Sequence, residues 1–156
     1  MNFARVIRLD ESDLEVFREA AQPGEWAIPG SFAYSNWTED ELEGKPAQEF
    51  KHGWLGLKSF GRASVVAVSS ITEAERDALV DILAFHFIES WGAPDVASAR
   101  PVAEEEIAHM IDMCSGQPEN TLIVVERHLG EAGVNDKFRL VPPQGASLDV
   151  FAVHGD

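Results

Sequence analysis

Residues 72–115, TEAERDALVDILAFHFIESWGAPDVASARPVAEEEIAHMIDMCS, decide the fold. Thr72 followed by Glu75 is a capping box, in which the side chains of the two residues each satisfy the other's free backbone N–H. Leu79, Val80, Leu83, Phe87 and Trp91 recur at helical spacing, and Gly92 and Pro94 stop the pattern. This predicts a helix from Thr72 to about Trp91. A connection from Asp95 through Arg100 is expected next, with Pro101 in the first turn of a second helix running to Cys114 or Ser115. Glu104, Glu105 and Glu106 suit the positive N-terminal end of that helix.

The flanking blocks read as strands. On the N-terminal side, Phe3–Leu9 suits a strand near a sheet edge, and Asp10–Ala21 reads as a helix opened by Ser12 and Glu15. Residues 25–37 hold Trp26, Phe32, Tyr34 and Trp37 in extended chain interrupted by Pro29 and Gly30, which predicts an edge. Thr38 and Glu41 predict one solvated turn that ends before Gly44 and Pro46. Phe50–Ser59 and Arg62–Ile71 read as an antiparallel hairpin turning at Phe60 and Gly61, and Val65–Val68 suits an interior strand. Beyond the helical pair, Leu122–Val125 and Lys137–Val141 form a second hairpin, with Leu148–Val153 as a last strand. Strands grouped on either side of a helical pair predict a single α+β domain over residues 1–156. Its mainly antiparallel sheet is covered on one face by the central helices.

Composition bounds the function. With 45% apolar residues among 156, including nine Phe and four Trp, the chain can bury one substantial core. Its 27 acidic and 12 basic side chains give a net charge of −15, which repels a phosphate backbone and argues against nucleic-acid binding. The opening MNFARVIRLDESDLEVF has no signal-peptide-like apolar run, and no window is apolar enough to span a bilayer, so a soluble cytoplasmic protein is expected. Cys114 is the sole cysteine and falls on an apolar helical stripe, which makes it a core residue.

Chemical motifs are sparse. There is no Gly-x-Ser-x-Gly, no dinucleotide fingerprint and no phosphate loop. The pairs His86 with Glu89 and Glu106 with His109 have helical spacing, but a carboxylate-bridged metal site needs four ligands pointing inward. At about 100° per residue His109 and Glu89 fall opposite the apolar stripes, so neither a metal nor another cofactor is expected. His52, near Trp54 and Phe50, reads as a titratable group on a strand surface. Trp26, Phe32, Tyr34 and Trp37 are the candidate partner-binding residues, because large rings on an interrupted edge serve as interface anchors.

The segments GEWAIPGSFAYSNW (24–37), GWLGLKSFGRASVVAV (53–68) and WGAPDVASARPVAEEEI (91–107) resemble a family of small bacterial proteins of unknown function, over most of the chain. The resemblance implies an accessory role linked to metalloenzyme maturation, since genes of that family tend to lie near accessory genes for molybdenum or iron-sulfur enzymes. It carries no catalytic motif. The leading expectation is therefore a non-catalytic accessory protein that binds a protein partner. The alternative is a small enzyme or ligand-binding domain with a pocket between sheet and helices, using His52 or His86.

Overall fold

The computed structural model describes residues 1–143. Strands β1 (Asn2–Ile7), β5 (Val65–Ser70), β6 (Leu122–Gly130) and β7 (Gly133–Val141) form one antiparallel sheet in the order β1-β5-β6-β7. A smaller antiparallel sheet holds β2 (Ala27–Ile28), β3 (Trp54–Gly56) and β4 (Arg62–Ala63). The helices are α1 (Ser12–Val16), α2 (Gly44–His52), α3 (Glu73–Trp91) and α4 (Val96–Cys114), with 3₁₀ turns at Ser31–Tyr34 and Glu39–Glu41. The α+β class and the helical pair stand as read from the sequence.

Helix α3 starts and ends where local chemistry dictates. The Thr72 side chain accepts from the Glu75 N–H, that of Glu75 accepts from the Thr72 N–H, and Gly92 closes the helix at φ 77°. Its Leu79, Val80, Leu83, Ala84 and Phe87 face Ala99, Ala103, Ile107, Met110 and Cys114 of α4 in one continuous core. Register brings Val6, Val66 and Ile123 of the large sheet opposite one another in that core. β5 is interior, flanked by β1 and β6, and Val65–Val68 are all buried. Burial pushes the Cys114 thiol up to about 12, which fits a packing role.

Several local expectations give way to tertiary contacts. The single sheet becomes two, because the chain bends at Ser64 between β4 and β5. There the Asp13 carboxylate accepts from the Ser64 hydroxyl at 2.6 Å and from its N–H at 3.2 Å. The helix expected over 10–21 shrinks to Ser12–Val16: Glu19 O and the Ala21 N–H instead bond to the backbone of Arg62, and the Arg18 N–H goes to Glu49. The strand expected from Phe50 begins only at Trp54, since residues 44–52 are helical. Pro46 is tolerated because it lies in the first turn of α2, where an N–H would have no intrahelical acceptor. His52 accordingly ends α2 instead of lying on a strand, with Nδ1 3.3 Å from the Val125 carbonyl.

Helix α4 also starts earlier than Pro101. The Asp95 carboxylate caps it, accepting from the Ser98 N–H at 2.8 Å, and burial of Ala99 and Ala103 in the core shared with α3 adds to the cap in offsetting the bond that Pro101 cannot donate within the helix. The edge expected over residues 25–37 is extended only at Ala27–Ile28 and then turns helical at Ser31. The solvated turn at Thr38–Glu41 forms with its capping box. The second hairpin is longer than read, its register continuing unbroken to Gly130↔Gly133. The strand expected at Leu148–Val153 lies outside the described residues.

Candidate functional site

A recess of about 350 Å³ opens between the Ser31–Tyr34 turn, α2, the small sheet and the C-terminal half of α3. It lies within the range of about 300–1,000 Å³ usual for small-molecule sites, though near its lower end. Phe32, Trp37, Phe60 and Trp91 supply the aromatic wall, while Arg18, Tyr34, Glu49, Arg62 and His86 supply the polar groups.

Three of the four aromatics singled out in the sequence converge here. Gly30, at φ 67°, starts the 3₁₀ turn and swings Phe32 and Tyr34 inward instead of leaving them on an open edge. Phe32 meets Trp91 edge-on at 5.6 Å, and Tyr34 meets Trp37 at 4.8 Å. Trp26 is placed elsewhere: it is half-buried against Phe3, with the Arg5 guanidinium 3.9 Å from its ring. None of the four presents a fully exposed ring, so a flat aromatic docking edge is not formed.

Sequence reasoning missed the arginines. Arg62 is buried, donating through Nη1 to the carbonyls of Pro29 and Gly53 and through Nη2 to that of Gly30, each at 3.1 Å. Arg127 is also buried, bonded to Ser31 Oγ at 2.8 Å and to the Phe50 carbonyl at 2.8 Å, with Asp136 3.3 Å away. The two guanidiniums lie 4.8 and 5.3 Å from the Tyr34 ring. Burial lowers the pKa of both, that of Arg127 to about 10. The signal in the sequence was an arginine beside small residues, Gly61-Arg62-Ala63, where a strand packs closely; patterning alone read Arg62 only as the start of a hairpin strand.

The carboxylate in the recess is already committed. Glu49 accepts from Arg18 Nη2 at 2.8 Å, from its Nε at 3.0 Å and from its backbone N–H at 2.8 Å. Burial pushes Glu49 up, but these bonds and the Arg18 charge outweigh it and hold the carboxyl below its ordinary range. His86 stacks on Phe60 at 3.7 Å and accepts from Trp91 Nε1 at 3.1 Å. Burial, with Arg62 nearby, lowers its pKa and favours the neutral ring.

Tyr34 is the outlier. It is 2% exposed, lines the recess, and its hydroxyl has no hydrogen-bond partner among the described residues. A buried unpaired hydroxyl costs about 1–3 kcal/mol. Tyr34→Phe is therefore expected to raise the stability of the ligand-free protein by about 1 kcal/mol, measured by urea unfolding; a loss of that size would mean the hydroxyl is paired.

The floor of the recess depends on Glu25, whose carboxylate accepts from the N–H groups of Gln22, Lys58 and Ser59 and from the Ser59 hydroxyl. This clamp fixes the turn that carries Phe60, itself at φ 59°. Burial acts to raise the Glu25 pKa, but the bonds from Ser59, Gln22 and Lys58 prevail and lower it. A group with a depressed folded pKa contributes stability above its unfolded value and loses it as pH falls through the folded one. Stability should thus begin to fall below pH 6.5 as His86 is forced to charge, and fall again below 4.5 as Glu25 and Glu49 protonate. Glu106, raised by burial, works in the opposite sense and softens the second step. Denaturation midpoints from pH 8 to 3 check this; a midpoint that rises on acidification would refute it.

The remaining candidates do not join this recess. Glu106 and His109 border a separate polar recess with Ser31 and Asp136, while Glu89 is exposed on α3. Among the described residues no three His, Cys, Asp or Glu side chains are grouped to hold a metal ion. No helix among them is long and apolar enough to cross a membrane.

A family model matches residues 1–156. The chain belongs to DUF6505, a family of unknown function. The DUF6505 assignment agrees with the resemblance carried by the segments around Trp26, Trp54 and Trp91, which bring Tyr34, Arg62 and Trp91 to the recess. No curated protein and no solved structure matches the DUF6505 chain.

Proposed function

We propose that the protein is a non-catalytic cytoplasmic accessory protein that works by holding a small organic molecule in the recess between the Ser31–Tyr34 turn and α3. One observation carries the reading: an aromatic recess of about 350 Å³ is lined by a buried tyrosine whose hydroxyl has no hydrogen-bond partner among the described residues. Native structures pair their buried polar groups, so such a hydroxyl is suited to a bond made with a ligand. Binding is favoured over turnover because the titratable wall groups already serve structural bonds: Glu49 with Arg18, and His86 with Trp91. A link to metalloenzyme maturation enters as the setting implied by the family resemblance. The net charge of −15 argues against a nucleic-acid partner.

Native mass spectrometry of the protein purified from its own host tests this. A co-purifying small molecule that is lost on Trp91→Ala or Trp37→Ala is the expected result. Ligand-free protein, with no small molecule competing for the recess in host extract, would remove the reading.

A protein partner is the second reading. Ile82, Phe85 and Trp91 are 41%, 62% and 49% exposed along α3, within about a turn of His86 and Ser90 at the mouth. A partner covering the mouth would bury these side chains. Pull-downs in moderate salt that lose a partner on Phe85→Ala but keep it on Tyr34→Phe would favour that reading.

A further inference from the structure

The walls of the recess specify more than an organic ligand. Twelve basic side chains stand against 27 acidic ones in the whole chain, yet Arg18, Arg62 and Arg127 gather around one buried tyrosine. Two of these cations are committed. Arg18 is spent on Glu49, and Arg127 lies behind Tyr34 with Asp136. Arg62 differs. Its three bonds all go to backbone carbonyls, and among the described residues no carboxylate lies within ion-pair distance of it. Its Nε–H and one Nη2 hydrogen take no bond among those residues. The recess wall thus holds a phenol O–H that is closed off from solvent and has no partner among the described residues, beside a buried guanidinium with no carboxylate of those residues within ion-pair distance; an acceptor reaches the hydroxyl by a small shift of the Tyr34 ring. Both are donors suited to one acceptor group bearing negative charge.

The apolar part is equally specific. Phe32, Trp37, Phe60 and Trp91 are partly exposed rings: Phe32 and Trp91 meet edge-on, while His86 stacks on one face of Phe60 and Phe50 on one face of Trp37, so each of these last two rings offers a ligand its opposite face. A flat unsaturated body stacks on such faces better than a branched aliphatic one.

We infer that the recess takes a small aromatic carboxylate, its acid group bonded to Tyr34 Oη and Arg62 and its ring held among Phe32, Trp37, Phe60 and Trp91. This rests on the recess being a ligand site, as proposed above. Glu49 does not oppose it, because Arg18 neutralises its charge; Glu19 lies at the rim and is exposed. A neutral aromatic amide would offer the same shape with a weaker acceptor, and serves as the control.

Isothermal titration of the full chain with benzoate, 2-naphthoate and indole-3-carboxylate, each beside its primary amide, tests the inference. At least one acid is expected to bind roughly tenfold or more tightly than its amide. Tyr34→Phe should weaken that acid about tenfold and leave the amide within about threefold, while Trp91→Ala should weaken both. Equal affinity for acid and amide would overturn the acid class while leaving the recess as a binding site. Acid binding unchanged by both Tyr34→Phe and Trp91→Ala would overturn the assigned position. Failure of all three acids to bind at millimolar concentration would overturn the acid class; a neutral molecule co-purifying in the recess would then show that the wider proposal survives it.

Discussion

Glu25→Ala is expected to destabilise the protein by about 3–4 kcal/mol, because four donors around the buried carboxylate, two of them on the half-buried Ser59, lose their side-chain acceptor at once. Each unpaired buried N–H or O–H costs about 1–3 kcal/mol, and some relief from entering water keeps the sum below the simple total. Gln at this position keeps an oxygen of the same reach, so Glu25→Gln should cost only about 1–2 kcal/mol. The space is not open to larger adjustments: a Cβ on Gly56 would sit 2.6 Å from Glu25 Oε1, which shows how closely the strand passes the carboxylate. Urea unfolding with an unchanged slope measures both variants. An alanine loss below about 1 kcal/mol would mean that the clamp is replaceable by solvent. The effect should reach the site, since the clamped turn holds Phe60 against His86.

The second large effect is expected at Gly30. Alanine there must adopt φ 67°, and its Cβ would lie 2.6 Å from Leu55 Cβ and 3.0 Å from Arg62 Nη1. Leu55 is 4% exposed and its Cβ cannot move without the backbone of β3. Left-handed strain of about 1 kcal/mol and the clash together should cost about 2–4 kcal/mol. Gly24→Ala is the control, since Gly24 also has positive φ (91°) but open space around it; only the strain of about 1 kcal/mol should appear. If the two variants lose equal stability, the contact with Leu55 does not constrain the turn. Because Gly30 also offers its carbonyl to Arg62, Gly30→Ala should weaken ligand binding in the recess as well.

Residues 72–92 and 38–41 were legible because their signals are local. A capping box or a left-handed glycine stops or starts a helix over three or four residues, whatever surrounds it. The outward direction of His109 and the burial of Cys114 followed from the same periodicity. Residues 44–52 were not legible, since Gly44 and Pro46 resemble breakers unless the helix is known to begin there. The aromatic segment was found, but not its path: Phe32, Tyr34 and Trp37 turn into a recess because Gly30 redirects the chain, whereas Trp26 packs on Phe3. His86 was a candidate on spacing with Glu89; its actual neighbours, Phe60 and Trp91, come from a strand turn and from one helical turn further on.

The sequence by itself determined the α+β class, the helical pair with the caps of its first helix, the buried Cys114 and the interior strand at Val65–Val68. All of these follow from backbone chemistry and apolar periodicity acting between near neighbours. Only the tertiary structure decided that the strands divide into two sheets at Ser64, that Arg62 and Arg127 are buried, and that Tyr34 lines a recess with a buried hydroxyl unpaired among the described residues. Those features depend on pairings such as Ser64 with Asp13, Glu25 with Lys58 and Ser59, and Arg127 with the Phe50 carbonyl. Such partners stand tens of residues apart, and a buried charge or hydroxyl is defined by which distant groups surround it.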